Sequence, residues 1–273
     1  MNYYTEIGIV GHGFVGKAVL KWFKGAAWYS KTGGSFEKVN RKRIIFLCLP
    51  TPFCAAKGGF DLSAIDENVR KLSPGKIIVL KSTVLPGTTE DLQRLYPQHR
   101  IFFNPEFLRA KSAVKDFLYP DRQIVGYADK KYKQTAGKLL DMLPSANYQG
   151  VCRAREAEMV KLMGNCYLAT KVVFANQFYD YCEKVGADYK EVSRLVKFDP
   201  RIGVSHWGIN TDGYRGYSGY CFPKDMKAVA IDSQSRLINH VDFINDHYLE
   251  GRRVPPVHSG KSMGVIGVIL KDV

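Results

Sequence analysis

The sequence predicts an α/β protein: a largely parallel sheet with helices on both faces, followed by an all-helical domain with one long helix. Two observations carry the prediction. From residue 7 to about residue 148, short apolar runs alternate with segments of helical periodicity, which is typical of a parallel sheet. From Ala154 to Val185 the chain contains no proline and is apolar on most helical faces, which predicts one long, buried helix.

The first element pairs a strand with a glycine-rich turn. Ile7 to Val10 is a β-branched run that leads into Gly11-His12-Gly13-Phe14-Val15-Gly16, and helical periodicity follows over Lys17–Lys24. In this context the GxGxxG pattern indicates dinucleotide binding, because its glycines allow a tight turn, close approach of the pyrophosphate and close helix packing. The pyrophosphate is expected on the amides of the helix N-terminus. The sequence therefore predicts a Rossmann-type domain.

Further buried strands follow, and polar or proline-containing loops come after them. The predicted strands are Ile44–Leu49, Lys76–Leu80, Arg100–Phe103 and Gln123–Tyr127. The predicted helices of this region are Leu62–Leu72, Thr88–Leu95 and Lys130–Met142. Loops beyond the carboxyl ends of parallel strands hold ligands in such sheets. Three loops are therefore candidates for a binding site: Pro50-Thr51-Pro52, Ser82-Thr83-Val84 and Asn104-Pro105-Glu106.

The long helix, about 48 Å at 1.5 Å per residue, opens a second domain. A helix over Tyr189–Val196, a loop rich in glycine and tyrosine, and more helix to about Leu249 follow it. The run 263–270 predicts one further strand, which cannot be stable alone. We expect a dinucleotide-binding domain at 1–148, a helical dimerisation and catalytic domain at 149–255, and a terminal linker and strand at 256–273. Because the long apolar helix needs cover, we expect a homodimer.

Composition and charge narrow the class of protein. The formal net charge of +14 suits small polyanions such as dinucleotides and sugar nucleotides. Nucleic-acid binding is not favoured, because the lysines are spread along the chain without an aromatic–basic repeat. No apolar run reaches the roughly 20 residues of a membrane helix, and no signal-peptide pattern opens the chain. Six cysteines without CxxC or zinc spacing predict reduced thiols, a cytoplasmic location and no metal site.

Eight short strings follow one another in a characteristic order. They are Gly11-His12-Gly13-Phe14-Val15-Gly16, Cys48-Leu49-Pro50-Thr51-Pro52, Lys81-Ser82-Thr83-Val84, Asn104-Pro105-Glu106-Phe107-Leu108-Arg109, Pro120-Asp121-Arg122, 157–165 (AEMVKLMGN), Asp199-Pro200-Arg201-Ile202-Gly203 and 219–225 (GYCFPKD). Together they resemble the UDP-glucose/GDP-mannose dehydrogenase family over nearly all 273 residues. The resemblance implies an NAD-dependent, two-step oxidation of a sugar nucleotide, as from UDP-glucose to UDP-glucuronate, through a cysteine thioester.

Cys221 is the covalent nucleophile that the resemblance implies. The residue types agree, because a thiol beside Lys224 and next to a glycine-rich loop is a plausible activated thiolate. For Cys48 and Cys166 an inert core thiol is the favoured interpretation.

Other candidates surround this thiol in the predicted chemistry. Lys161 and Asn165 share one helical face, where a cation and an amide donor could hold a developing oxyanion. Glu106 follows a strand, where a general base or a helix-capping carboxylate would stand. The resemblance implies that Glu106 assists thioester hydrolysis, that Asp225 serves proton transfer, and that Thr83 lies near the reacting centre.

The resemblance also implies the residues that contact the ligands. The expected cofactor-binding residues are Gly11, Gly13, Phe14, Val15, Gly16, Pro50, Thr51, Pro52, Ser82 and Thr83. The expected substrate-binding residues are Glu106, Phe107, Leu108, Arg109, Lys161, Asn165, Arg201, Tyr217 and Gly219. Among them, Arg201 resembles an arginine that reaches across a dimer to the partner's substrate.

The cofactor end departs from the family pattern. Ala26–Thr32 contains no acidic residue, although the family carries a carboxylate for the adenosine ribose at the end of the second strand. NADP is therefore possible beside NAD, and Lys31 would favour its 2′-phosphate. The segment between Gly16 and Ile44 also looks too short for a complete set of strands and helices.

The substrate end departs as well. Ala110 stands where the family has a second glutamate, and the loop Gly216–Tyr220 carries bulkier residues than usual. The resemblance implies that most of the family's C-terminal UDP-binding domain is missing and that 265–271 is its first strand. We expect either a fragment or a naturally reduced protein.

Two alternatives stay open. A hydroxyacid dehydrogenase of the 6-phosphogluconate dehydrogenase type shares the helix lysine and asparagine, but it has no role for the string around Cys221. A catalytically inactive or partner-dependent homologue could act as a binding or assembly protein, since fold alone does not fix function.

Overall fold

The computed structural model describes residues 6–210 and 213–251. The strand expected near residues 263–270 lies outside the described residues. The chain falls into two compact units, each described by itself. The first contains the residues up to Leu168 together with Tyr220–Asn239, and the second contains Ala169–Gly219 and the residues from His240 onward.

The first unit contains an eight-stranded sheet and a small hairpin. The strands are β1 Ile7–Val10, β2 Ala27–Ser30, β3 Gly33–Gly34, β4 Ile44–Leu47, β5 Phe53–Cys54, β6 Gly59–Phe60, β7 Ile77–Leu80, β8 Arg100–Phe103, β9 Arg122–Tyr127 and β10 Tyr148–Arg153. The order across the large sheet is β10-β9-β8-β7-β4-β1-β2-β3, and β5 pairs with β6. Only β2–β3 and β8–β9 are antiparallel in the large sheet, which confirms the prediction of a largely parallel sheet.

The α-helices of the described residues follow the predicted alternation. They are α1 Phe14–Trp22, α2 Phe36–Asn40, α3 Ser63–Lys71, α4 Thr88–Leu95, α5 Ala113–Leu118, α6 Lys133–Met142, α7 Ala154–Val185, α8 Tyr189–Val196, α9 Phe222–Ser233 and α10 Arg236–Leu249. The long helix α7 has the predicted bounds, and Gly186 with φ 72° follows its last residue, as a left-handed helix C-cap requires. The helix predicted over Lys17–Lys24 begins earlier, at Phe14, directly after the glycine turn.

The central strands are buried on both faces because consecutive apolar side chains point in opposite directions. Ile44 and Phe46 of β4 pack with α1 and α6 in one core, whereas Ile45 and Leu47 pack with α3 and α4 in the other. The runs of β1, β7 and β8 divide in the same way between the two cores. This packing explains why these strands read as continuous apolar runs and not as alternating ones.

One expectation was wrong. The segment between Gly16 and Ile44 holds a complete set of elements: most of α1, then β2, β3 and α2. These elements fit into the short segment because the loop between β2 and β3 has two residues and α2 has five. Strand β10 was not predicted, because its exposed edge position leaves it without a continuous apolar run.

The second unit is helical, with a small aromatic core. Ala175, Cys182, Tyr189 and Trp207 form this core between the later turns of α7, α8 and the loop after α8. The loop before residue 220 is tied to α10, because Tyr217 and Asn245 exchange hydrogen bonds of 2.6 and 2.9 Å. Over residues 6–210 and 213–251, none of the helices is both long enough and apolar enough to span a bilayer.

Candidate active site

A buried ion pair lies at the centre of the candidate site in the first unit. The Lys161 ammonium on α7 lies 2.8 Å from Glu106 Oε1, and the two side chains are 5% and 6% exposed. The other oxygen of Glu106 accepts from the Leu108 amide at 2.7 Å. The lysine in an otherwise apolar stretch of helix therefore has its partner, and Glu106 is held in the loop that follows β8.

Asp225 is the second buried carboxylate of the site. Its side chain is fully inaccessible, and its two oxygens accept from Asn165 Nδ2 and Lys224 Nζ, both at 2.6 Å. Asn165 lies one helical turn after Lys161 on α7, so a single face of that helix supplies both a cation and an amide. The Lys224 ammonium therefore pairs with the Asp225 carboxylate and not with the neighbouring thiol of Cys221.

Cys221 stands at the N-cap position of α9 and is half-buried. Burial raises the pKa of its thiol, and the Glu106 carboxylate raises it further, while Lys161 and Lys224 act in the opposite direction. Lys224 is the weakest of these influences. The sequence suggested a thiolate activated by Lys224; the structure instead favours the protonated thiol, because desolvation and two carboxylates outweigh two ammonium groups.

A second buried lysine lies beneath the Glu106 loop. Lys81 follows β7, and its ammonium donates to Asn104 Oδ1 at 2.6 Å and to the Asn104 carbonyl at 3.3 Å. Burial lowers the pKa of Lys81 to about 8. Asn104 in turn donates to the Ile124 carbonyl at 2.8 Å, so the turn that leads to Glu106 is fixed from both sides.

The loops after β4 and β7 are tied together. The Ser82 hydroxyl donates to the Leu49 carbonyl at 2.6 Å and accepts from the Leu49 amide at 3.1 Å. Thr51 Oγ1 donates to the Thr83 carbonyl at 2.7 Å, and both threonines are buried. Pro50 and Pro52 flank Thr51 and are exposed. These loops lie at the carboxyl edge of the sheet, where such folds bind ligands.

The glycine turn fits a dinucleotide pyrophosphate. A Cβ at Gly11, which has φ 100°, would lie 2.1 Å from the Cys48 carbonyl oxygen, and a Cβ at Gly16 would lie 2.0 Å from the Gly11 carbonyl oxygen. Only glycine can occupy these two positions. A Cβ at Gly13 would meet nothing within 4 Å, and no side chain caps α1, so the first amides of this helix have no side-chain acceptor, as an anion site at a helix N-terminus requires.

The other predicted substrate residues have varied surroundings. Two cations lie over the Phe107 ring: the Arg122 guanidinium 3.8 Å and the Lys161 ammonium 5.9 Å from its centroid. Leu108 packs against the first core, and the exposed Arg109 is engaged by Asp116 at 2.6 and 3.0 Å. Three further predicted residues belong to the second unit: Arg201, paired with Asp199 at 2.6 Å, the buried Tyr217, and Gly219 with φ 81°.

Sequence reasoning missed two supports of the site. Glu158 on α7 accepts from the Gly87 amide at 2.6 Å and from the amide and hydroxyl of Thr89 at 2.8 and 2.5 Å, which caps α4. The hairpin β5–β6 places Phe60 4.6 Å from the Lys224 ammonium and against α9. A charged residue inside the apolar stretch of α7 was the signal that could have pointed to Glu158.

Two sequence models of one family match this chain. Residues 25–143 match the NAD binding domain of the UDP-glucose/GDP-mannose dehydrogenase family, and residues 155–247 match its central domain. The chain belongs to the UDP-glucose/GDP-mannose dehydrogenase family. This finding confirms the resemblance drawn from the eight strings. It also confirms NAD as the expected cofactor of the first domain.

Named relatives and solved structures agree with this membership. The UDP-glucose 6-dehydrogenases of Rickettsia conorii and Rickettsia bellii are 36% and 35% identical over 260 and 202 residues, covering 86% and 71% of this chain. The chain spans only 57% and 45% of those two relatives. A UDP-glucose dehydrogenase structure from Pyrobaculum islandicum superposes with a TM-score of 0.78 at 28% identity, covering 88% of this chain and 68% of that one. A UDP-D-ManNAc dehydrogenase from Pyrococcus horikoshii, with a TM-score of 0.75 at 22% identity over 89% and 68% of the two chains, shows the shared fold.

Proposed function

We propose that the chain oxidises the primary alcohol of a UDP-sugar to the carboxylate in two NAD-dependent steps, as from UDP-glucose to UDP-glucuronate. The observation that carries this proposal is a half-buried thiol, Cys221, whose pKa is raised first by burial and then by the charge of Glu106, a buried carboxylate paired with Lys161. A dehydrogenase that stops at an aldehyde or ketone has no task for such a thiol. The names of the relatives support UDP-glucose as the substrate.

In the first oxidation, a hydride would pass from the alcohol carbon to the cofactor and the hydroxyl proton would pass to water, which gives an aldehyde. Bound NAD would supply the hydride acceptor for both oxidations. Lys161 and Asn165 supply an ammonium and an amide from adjacent helical turns, which suits them to stabilise negative charge on the substrate oxygen. The buried position of this pair strengthens the effect, because little water competes for the charge.

The thiol attacks in the second stage. A C–S bond forms between Cys221 and the aldehyde carbon, the thiol proton leaves the sulfur, and the oxygen gains a proton. Because the pKa of Cys221 is raised, the thiol gives up its proton as it attacks, and Glu106, the carboxylate whose charge acts most strongly on this thiol, is suited to accept it. Transfer of a second hydride from the carbon to the cofactor and of the hydroxyl proton to water would then leave a thioester.

Water then hydrolyses the thioester. The oxygen of water bonds to the acyl carbon, the C–S bond breaks, the sulfur regains a proton and the carboxylate product leaves. Glu106 is suited to take the proton of the attacking water. Asp225 positions its neighbours without touching the substrate. It accepts from the Asn165 amide and from Lys224 in the first turn of α9, the helix whose N-cap is Cys221.

The ligand contacts are proposed on the same basis. The cofactor would lie along the glycine turn and the tied loops after β4 and β7, including Thr51 and Thr83. The UDP-sugar would contact the Glu106 loop and the face of α7 that carries Lys161 and Asn165. Arg201, Tyr217 and Gly219 stay proposed substrate residues of the second unit.

We also propose a homodimer through α7. Seven apolar side chains along this helix are 43% exposed or more, and together they form a stripe that a second copy would cover. The stripe consists of Met159, Met163, Tyr167, Phe174, Phe178, Tyr181 and Val185.

The decisive experiment follows NADH absorbance at 340 nm with the purified chain, UDP-glucose and NAD. We expect two NADH for each sugar consumed, and we expect Cys221→Ala to abolish formation of the carboxylate. Cys54→Ala, at a partly buried thiol on the hairpin, is the matched control and should leave the yield unchanged. Full product formation by Cys221→Ala would contradict the thioester route. No NADH from a chain that binds NAD would favour the inactive assembly protein.

A further inference from the structure

The carboxyl end of β2 lies beside the glycine turn. Residues 8–10 of β1 pair in parallel register with residues 27–29 of β2, and the Gly11 amide donates to the Tyr29 carbonyl at 2.8 Å. Ser30 is therefore next to the turn that suits the pyrophosphate. In dinucleotide-binding domains this strand end contacts the adenosine ribose, and a carboxylate there accepts from the 2′-hydroxyl.

This chain places two hydroxyls and an ammonium at that position. Ser30 pairs with Gly33 across β2 and β3, so Lys31 and Thr32 alone form the hairpin loop. The hydroxyl oxygens of Ser30 and Thr32 lie 3.0 Å apart, and the Thr32 amide donates to Ser30 Oγ at 3.3 Å. Lys31 and Thr32 are exposed. The hairpin thus gathers donors where an NAD-selective site presents an acceptor.

We propose that this hairpin tip, Ser30–Thr32, accepts the 2′-phosphate of NADP, so that the domain binds NADP as well as NAD. The inference rests on the proposed dinucleotide site. A phosphate monoester carries a charge of about −1.5 to −2 near neutral pH and offers three strong acceptor oxygens. Two hydroxyls and the Lys31 ammonium on this short loop offer that group hydrogen-bond donors and one positive charge.

The surroundings of the tip support this assignment. The Glu67 carboxylate, whose charge interacts weakly with that of Lys31, already pairs with Lys71 at 2.6 Å. The His12 ring stacks on Trp28 with centroids 4.0 Å apart, and Trp28 shares its face of β2 with Ser30. A stacked aromatic pair therefore lies on the face of β2 that carries Ser30.

The test is isothermal titration of the whole chain with NAD and with NADP, which needs no turnover. We expect the two dissociation constants to agree within about tenfold. Lys31→Glu should weaken NADP binding by about tenfold or more and NAD binding by less than about twofold, because only the 2′-phosphate meets the new charge. Ser30→Asp should act in the same direction. Lys24→Glu, the same charge change before the opposite end of β2, should not discriminate between the cofactors.

The outcomes separate this inference from the proposed function. A chain that binds NAD but binds NADP about a hundredfold more weakly overturns the phosphate site and leaves the dehydrogenase proposal standing. Equal weakening of both cofactors by Lys31→Glu also overturns it. If neither dinucleotide binds, the cofactor site itself fails, and the proposed function fails with it.

Discussion

Lys161 Nζ lies 2.8 Å from Glu106 Oε1, and water reaches almost nothing of either side chain. Breaking such a pair leaves one charge buried without compensation, which costs about 3–5 kcal/mol. We expect Lys161→Met to lower the free energy of unfolding by about that amount in urea titrations. Adding Glu106→Gln to that variant should restore much of the loss, because the orphaned charge is gone.

A solvent-exposed ion pair serves as the control for the buried pair Lys161–Glu106. Lys71 and Glu67 are ion-paired at 2.6 Å, with side chains 54% and 56% accessible. Lys71→Met should leave the urea midpoint unchanged, since solvent screens such pairs. Equal losses from Lys161→Met and Lys71→Met would contradict the interpretation.

The thiol of Cys221 should respond to the charge of Glu106. Because that carboxylate raises the pKa of Cys221, Glu106→Gln removes a negative charge and should lower it. At pH 7.5 we expect about threefold to tenfold faster alkylation of Cys221 by iodoacetamide, measured by mass spectrometry of its peptide, since each pKa unit changes the thiolate fraction about tenfold. Glu67→Gln serves as the distant control. Unchanged or slower alkylation in Glu106→Gln would sink this account.

Lys81 predicts a pH dependence of stability. Burial lowers the pKa of Lys81 from 10.5 to about 8, so between these two values the unfolded chain binds more protons than the folded one. The contribution of Lys81 to the free energy of unfolding therefore grows as pH rises through that window and is lost as pH falls through about 8. Relative to that of Lys81→Met, the free energy of unfolding of the wild type should rise by up to about 1.4 kcal/mol per pH unit between pH 8 and pH 10. Parallel stability curves for the two proteins would refute the assignment.

Glu158 joins α7 to the start of α4. Glu158→Ala would leave the Gly87 amide and the Thr89 amide and hydroxyl buried without their acceptor, at about 1–3 kcal/mol for each group that stays unsatisfied. We expect a clear drop in melting temperature, and a smaller one for Glu158→Gln, which keeps one acceptor oxygen. The control is Glu156→Ala on the same helix, because the Glu156 side chain is 43% exposed. Similar melting temperatures for the two alanine variants would argue against this capping role.

The proposed dimer is testable by sedimentation velocity. Phe178 packs its ring 4.6 Å from that of Phe174 on the exposed stripe of α7. Phe178→Glu should shift the protein from dimer to monomer, because a charge would be buried in the apolar interface. Leu195→Glu on α8 places the same charge at a similarly exposed apolar residue and should leave the dimer intact. A wild-type chain that sediments as a monomer at micromolar concentration would remove the proposal.

Local patterns predicted much of the fold. The strands β1, β4, β7 and β8 were predictable because each is an apolar run closed by a polar loop, and α7 because its periodicity continues without proline. The hairpin β2–β3 escaped because its second strand consists only of Gly33 and Gly34, which carry no apolar pattern. Strand β10 was not predicted because a partly exposed edge strand does not need a continuous apolar run.

The candidate site was predictable in its residues but not in its electrostatics. Glu106, Lys161 and Asp225 stand in recognisable strings, yet their pairing depends on how β8, α7 and α9 pack together. The sequence placed Lys224 beside Cys221 and suggested an activating cation, whereas Asp225 captures that ammonium at 2.6 Å. The role of Lys81 was equally hidden, because its partner Asn104 lies in the loop after the neighbouring strand, β8.

Strand β3 has a consequence for self-association. An uncovered sheet edge displays unpaired amides and carbonyls on which a second chain can add a strand. This edge offers only Gly33 and Gly34, and Gly34 with φ 79° admits no side chain, because a Cβ there would lie 2.2 Å from the Trp28 carbonyl oxygen. Two residues give an incoming strand too few partners to hold it. At its β3 edge the sheet therefore resists aggregation by strand addition.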